Sequence, residues 1–468
     1  MLGCMSATFI GRERELGVLA SAHASKGSVF VPVYGRRRVG KSELLLHFLA
    51  SRPGVYLLGK QAPAALQRRE FLEQAAKTLG EPLLASYEAE SWASALAAVT
   101  RHWRGQQKLV LAFDEFQWTA AASPELPSVL QGMLDGEWRR EGKVMLVLCG
   151  SYVGFMEKEL LGRKSPLFGR RTAQILLRPF DYRESALFHP RWSLLDRARA
   201  YFVCGGVPLY LRFFDPGLSL EANIASRLLD EYAPLYREPD FLLREELREV
   251  ESYHAVLFAL ARGSLPNRDI SRLAGIGDRK LHYYLQTLVE LGYVKRRYPL
   301  TERGPLSRQV RLELDDPLLR FWFRFVFPRT SQILQLGPQR ALRELVRPEL
   351  DAYFGSCFER LCREALPALY AHTGVTASFE VGEYWDAETQ IDVVGLRDDG
   401  WTDLGECKWG PGGSAAALER ELEEKVRRYP NRRNATIGRL LFTRQPLRVD
   451  RAGTDQVVRY CLEDLYAL

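Results

Sequence analysis

VPVYGRRRVGKSELLLHF, residues 31–48, joins an apolar run to a basic glycine turn and an apolar helix start. Gly35-Arg36-Arg37-Arg38-Val39-Gly40-Lys41-Ser42 fits G-x-x-x-x-G-K-[ST] at every fixed position. An extended apolar run, Val29–Tyr34, precedes it, and Glu43–Phe48 reads as the start of a helix. Strand, glycine-rich turn and helix in that order form a phosphate-binding loop. Gly35 and Gly40 let the backbone pass close to phosphate, and the exposed N–H groups at the helix start cradle it. Lys41 is expected to reach the outer phosphates and Ser42 to hold Mg²⁺.

The 468 residues are enough for two to four domains, and 46 % hydrophobic content is ordinary for a globular chain. No apolar run approaches the length of a membrane span. The start, MLGCMSATFIGRE, lacks a basic segment followed by an apolar core, so no signal peptide is expected and the placement reads as cytoplasmic. The seven cysteines form no C-x-x-C pair, which argues against a zinc knuckle or a disulfide framework. A formal charge of +7, carried mostly by arginine, permits nucleic-acid binding without demanding it.

Past the loop, Lys108–Glu115 is an apolar run ending in two acids. Asp114 at the strand end is expected to hold Mg²⁺ through water, and Glu115 to polarise the attacking water. Phe116-Gln117-Trp118 either packs beneath this site or meets a partner. Ser151 follows a further strand, Val144–Cys149. It reads either as a sensor of the γ-phosphate or as a plain strand-end serine. Arg170 or Arg171 reads as an arginine finger acting on a neighbouring subunit, or equally as a contact to DNA or to a surface carboxylate. Pro208, in Cys204-Gly205-Gly206-Val207-Pro208, sits at a turn where a fixed φ adjoins flexible glycine; the turn resembles the one in signal-transduction ATPases whose proline approaches the nucleotide, with an ordinary helix–helix turn as the alternative.

The middle of the chain reads as a proline-containing linker, Pro234–Phe241, then helices at Leu242–Ala261, Asn267–Leu273 and Gly277–Leu291, then a basic hairpin. Three helices and a hairpin make a winged helix. Its third helix is expected to place Arg279, Lys280, His282 and Tyr283 near DNA, with Lys295, Arg296, Arg297, Arg303 and Arg308 on or near the wing. Protein docking is the competing use of such a module.

Near the end, Ile391–Leu396 and Leu404–Trp409 flank a turn, giving D-x₁₃-E-x-K from Asp392, Glu406 and Lys408. A hairpin lets the two acids converge to hold Mg²⁺, and Glu406 and Lys408 share a strand face. Glu359 on a preceding helix is a candidate third acid. The pattern reads as a metal-dependent nuclease core or as a relic used for binding.

These stretches together, YGRRRVGKSELL, LAFDEFQW, LCGSYVGFMEKELL, SPLFGRRT, CGGVPLYL, PLLRFWFRFVFP and IDVVGL…GECKW, resemble archaeal-type P-loop ATPases that also occur in bacteria. The resemblance implies an α/β fold: an AAA-like P-loop NTPase core over 1–180, a helical lid and linker over 181–241, a winged helix over 242–315 and a PD-(D/E)XK-like α/β domain over 316–468. It implies ATP and Mg²⁺ as cofactors and DNA as partner, with homo-oligomerisation through an arginine finger as a further expectation. Carried over by residue, Lys41 and Ser42 bind nucleotide and metal, Asp114 and Glu115 are the acids of the ATPase, and Asp392, Glu406 and Lys408 match the nuclease-like core. The expected activity is ATP hydrolysis on a DNA-associated protein, with a nucleotide-gated nuclease or an inactive nuclease-like scaffold as the two alternatives for the last domain.

Overall fold

The structure is a computed structural model that describes residues 9–302, 304, 309–410, 414–447 and 457–468. The chain forms two compact units. One holds the residues up to Phe180 together with Val207–Leu209; the other holds Asp181–Gly206 and Tyr210–Leu468.

In the first unit, β1 (Val29–Tyr34), β2 (Gly54–Leu58), β3 (Leu109–Asp114), β4 (Val144–Gly150) and β5 (Ile175–Leu176) form one sheet in the order β2-β3-β4-β1-β5. Every pairing is parallel. Three of these strands, β1, β3 and β4, are buried along their whole length, which is why they read as continuous apolar runs rather than alternating ones. Helices cover both faces: Phe71, Trp92, Phe113 and Trp138 fill one core layer, and Leu19, Leu44, Phe48 and Val147 the other. Because all five strands run the same way, their C-terminal ends share one edge, where ligands of such sheets bind.

The second unit begins with helices, including Leu194–Cys204 and Leu220–Leu228. The linker expected over Pro234–Phe241 is instead partly helical: a helix spans Glu238–Glu246, with Pro239 in its first turn, where a missing N–H has no consequence. The single helix expected over Leu242–Ala261 is two, because Leu247 is buried in an extended conformation and a second helix starts at Val250. The winged helix follows: Val250–Leu260, Asn267–Ala274, Asp278–Glu290, then β6 (Val294–Arg297) antiparallel to β7 (Arg311–Leu314). Arg303 and Arg308 of the expected wing lie outside the described residues.

A helix of 26 residues, Arg347–His372, leads into a second sheet. It contains β8 (Phe379–Trp385), β9 (Gln390–Arg397), β10 (Trp401–Lys408), β11 (Thr436–Thr443) and β12 (Val457–Cys461), in the order β12-β11-β10-β9-β8. The pairings β8/β9 and β9/β10 are antiparallel; β10/β11 and β11/β12 are parallel. Helix Ala415–Arg428 makes the crossover between β10 and β11. The segment after β6 joins this sheet: Leu300 N–H donates to the Glu383 carbonyl at 2.7 Å, and Leu300 is buried among Tyr384, Ile391, Val394 and Leu404. Among the described residues no helix is long and apolar enough to cross a membrane.

Gly35 closes β1 with φ +154, and a Cβ added there would stand 2.2 Å from the Leu177 carbonyl oxygen. Gly17, in helix Glu13–Ala24, has open space around its Cα. Gly35→Ala is therefore expected to destabilise the first unit by about 2 kcal/mol or more in denaturant unfolding, while Gly17→Ala is neutral or stabilising by roughly 0.5 kcal/mol. Equal stabilities for the two variants contradict this packing.

Candidate functional sites

The first site lies where β1, β3 and β4 end. Gly40, at φ +90, turns the chain into helix Lys41–Leu49, so the lysine and serine of the loop occupy the first turn with its free N–H groups. Lys41 is buried and its Nζ donates to the Arg36 carbonyl at 2.9 Å, within the loop itself. Burial pulls its ammonium below the usual lysine value, and the charges of Glu115 and Asp114 act in the opposite direction. Arg12, left-handed at φ 69, fastens the loop by donating to the carbonyls of Val39 at 3.1 Å and Arg178 at 2.8 Å. Its guanidinium lies 3.8 Å from the centre of the Phe180 ring.

Asp114 is fully buried at the end of β3. Tyr56 of β2 donates its hydroxyl to Asp114 Oδ2 at 2.7 Å, and the Glu115 N–H donates to Oδ1 at 2.9 Å. Burial, followed by the Asp114 charge, raises the Tyr56 phenol well above its usual range and keeps it a donor. Sequence reading missed Tyr56; its only signal is its position on the strand beside the acid-tipped one. A serine hydroxyl and a buried carboxylate are hard oxygen donors for Mg²⁺ and the adjacent lysine suits anionic phosphate, so together they fit a Mg²⁺–nucleotide.

Glu115 follows with φ 47, uncommon outside glycine, and starts helix Phe116–Ala122. Its Oε2 accepts from the Ser151 hydroxyl at 2.5 Å and from the Gln117 amide. Ser151 is thus joined to the acid. Pro208 groups with this unit, and a Cβ on Gly40 would stand 3.7 Å from its Cγ. Of the two finger candidates, Arg170 is committed within the chain: it grips Asp135 through Nε and Nη2 and donates Nη1 to the carbonyls of Pro166 and Phe168. Arg171 is exposed.

On the winged helix, Leu281, Tyr284, Leu285 and Leu288 are buried, whereas Arg279, Lys280, His282 and Tyr283 are exposed. Lys295 and Arg296 are exposed on β6. Arg297 departs from the expectation that it faces phosphate. It is 13 % exposed and pairs inward with Glu313 at 3.1 Å and Glu383 at 2.9 Å. Arg360 also pairs with Glu313, and Arg363 reaches Glu383 at 3.2 Å. Burial alone would raise the Glu313 carboxyl, but Arg360 and Arg297 hold it at about 2.

In the C-terminal sheet the β9/β10 register ends at Val393 opposite Gly405, with Asp392 and Glu406 the next residues on the two strands. Asp392 Oδ2 accepts the Cys407 N–H at 3.1 Å, and its Oδ1 accepts from Gln390 at 3.4 Å. The ammonium on Glu406 belongs to Lys425 of helix Ala415–Arg428, 2.6 Å from Oε1; Lys408 is exposed at the end of β10. Burial, reinforced by the Asp392 charge, raises the carboxyls of Glu406 and Glu359, the latter to about 8. Burial would lower Lys425, but its contact with Glu406 outweighs this and raises it. Among the described residues no group of three or more His, Cys, Asp or Glu is assembled to hold a metal. In this arrangement Lys425 balances the charge of Glu406.

Comparison with known proteins accords with the first unit. Residues 9–212 match an ATPase domain predominantly from Archaea, 256–297 an IclR helix-turn-helix domain, and 322–423 a family described as archaeal and bacterial proteins of unknown function. An uncharacterized protein of Methanocaldococcus jannaschii is 27 % identical over 399 residues, covering 84 % of this chain and 85 % of its own. Among solved structures, a Walker-type ATPase of Pyrococcus abyssi is similar at 20 % identity, TM-score 0.49, over 68 % of this chain and 96 % of that one. The ORC2 protein of Aeropyrum pernix is similar at 15 % identity, TM-score 0.45, over 70 % and 95 %. The chain is a P-loop ATPase in its first part, and a winged-helix module follows.

Proposed function

We propose that this ATPase uses Mg²⁺ with its nucleotide and binds duplex DNA through the winged helix, while the C-terminal α/β domain serves as a scaffold. In the ATPase, Gly35, Gly40 and Lys41 bind the phosphates. Ser42 and Asp114 would hold the metal, which supplies charge neutralisation at the phosphates. Glu115 polarises water, Ser151 orients it, and Pro208 lies against the loop. Arg171, exposed where Arg170 is not free to turn outward, is the better candidate for a finger in an oligomer.

The observation that carries the DNA reading is the split of helix Asp278–Glu290 into a buried apolar face and an exposed face bearing Arg279, Lys280, His282 and Tyr283. Such a face suits base edges, with Lys295 and Arg296 beside it suited to phosphate. Replacing Lys295 and Arg296 together by alanine is expected to weaken duplex binding and flatten log Kd against log salt by roughly two units of slope. Arg297→Ala should instead cost roughly 2 kcal/mol of stability, because it removes a charged partner from two buried carboxylates. A parental salt slope in the double variant would assign the module to protein docking.

For the last domain, Lys425 favours the scaffold reading, since it balances Glu406 without a metal. A second reading, metal-dependent phosphodiester cleavage at Asp392 and Glu406 with Lys408, is supported by two features. The element order helix, β8, β9, β10, helix, β11 is that of the expected PD-(D/E)XK-like core, and Glu406 Oε2 is buried without a hydrogen-bond partner. Under the scaffold reading Lys425→Met destabilises the unit by about 3 kcal/mol at pH 8. The loss shrinks at pH 5. A carboxyl raised by folding adds stability below its unfolded value and loses it as pH rises through the folded one, and its neutral form needs no cation. Full-length protein incubated with single- or double-stranded DNA, Mg²⁺ or Mn²⁺, and ATP should leave the DNA intact. Cleavage that disappears on Asp392→Ala would establish the second reading.

A further inference from the structure

We propose that Gln117 is a positioning residue of the ATPase, holding the Glu115 carboxylate by one oxygen so that the other faces the attacking water. This rests on reading Glu115 as the group that polarises that water. Glu115 has little freedom in its backbone, since its N–H is bound to Asp114 Oδ1 at 2.9 Å and its φ of 47 marks the sharp turn from β3 into helix Phe116–Ala122. Its side chain still has rotamer freedom, and a carboxylate offers about four acceptor positions. Both the Ser151 hydroxyl and the Gln117 amide donate to the same oxygen, Oε2. Two donors from different elements, one after β4 and one in the helix, fix the plane of the carboxylate and leave Oε1 outside that pair of bonds.

The chemistry of the amide makes the arrangement directional. Only the NH₂ end can face a carboxylate, so the carbonyl end of Gln117 must point away. There it is buried and has no hydrogen-bond partner. A buried acceptor left unpaired costs about 1–3 kcal/mol, which a glutamine serving only to pack would avoid by turning to solvent. Gly150, the last residue of β4, makes room for it: a Cβ there would stand 3.0 Å from Gln117 Oε1 and 2.8 Å from Met156 Sδ. The side-chain length matters as well, because asparagine is one methylene short of Glu115 and methionine has the length but no donor.

The test is a double-mutant cycle on the full chain. Gln117→Met and Gln117→Asn are made in the parent and in the Glu115→Gln background, with single-turnover ATP hydrolysis and the Kd of Mg²⁺–ATP measured for each. In the parent background both variants should slow hydrolysis about tenfold and leave the Kd within about twofold. In the Glu115→Gln background, where the carboxylate is gone, the further loss should be less than about twofold, since the two residues act as one unit. The same factor in both backgrounds, or a loss that appears in Kd rather than in rate, overturns the proposal and leaves Gln117 as packing. Hydrolysis unaffected by Glu115→Gln alone would overturn the assignment of Glu115 itself, a result distinguishable from failure of the cycle.

Discussion

A carboxylate with no exposure to water, Asp114, is the constraint on which the first unit depends. Burying such a charge is unfavourable unless it is hydrogen-bonded and balanced. The partners come from three elements: the Tyr56 hydroxyl from β2, the Glu115 N–H from the turn after β3, and the field of Lys41 from the loop after β1. Satisfying Asp114 therefore brings the ends of neighbouring strands into a fixed relation. Gly59 allows this closeness, since a Cβ there would stand 2.6 Å from the Glu115 carbonyl and 2.7 Å from Thr119 Oγ1. The site is a consequence of the same hydrogen bonds that hold the edge of the sheet together.

The second unit solves its buried charges differently. Arg297, Arg360 and Arg363 alternate with Glu313 and Glu383 in a chain of ion pairs that runs from the wing strands to β8 and helix Arg347–His372. Arg363 also donates to the Asp392 carbonyl at 2.6 Å, so the chain of pairs ends on the strand that carries the acid. Leu300 adds an apolar anchor, seated over Gly382 where a larger residue would meet it within 3.1 Å. Removing any one arginine leaves a buried carboxylate a partner short, so these pairs fix the arrangement of the wing on the sheet more than they add to stability.

Much of the first unit was legible because its signals are local. G-x-x-x-x-G-K-S between an apolar run and a helix, and an apolar run ending in Asp114-Glu115, each specify an element and its end. The hairpin of β9 and β10 was legible for the same reason, with its turn at Asp398–Gly400. What escaped notice depends on residues distant in sequence. Tyr56 is 58 residues from Asp114, and Lys425 is 19 from Glu406 across a crossover helix. Arg297 stands in a basic run and shares a strand face with exposed Lys295, yet it is held inward by Glu313 and by Glu383, 86 residues on. Edge strands β8 and β12 carry mixed, half-exposed sequence and gave no pattern to read.

Asp114, held by Tyr56, is proposed as the group through which Mg²⁺ strengthens nucleotide binding. Calorimetric titration of ATP into the full chain, with Mg²⁺ and with EDTA, measures this directly when repeated on Asp114→Asn. Mg²⁺ is expected to tighten binding to the parent by about tenfold or more, and to have less than about a twofold effect on the variant. An equal effect of Mg²⁺ on both proteins would contradict it.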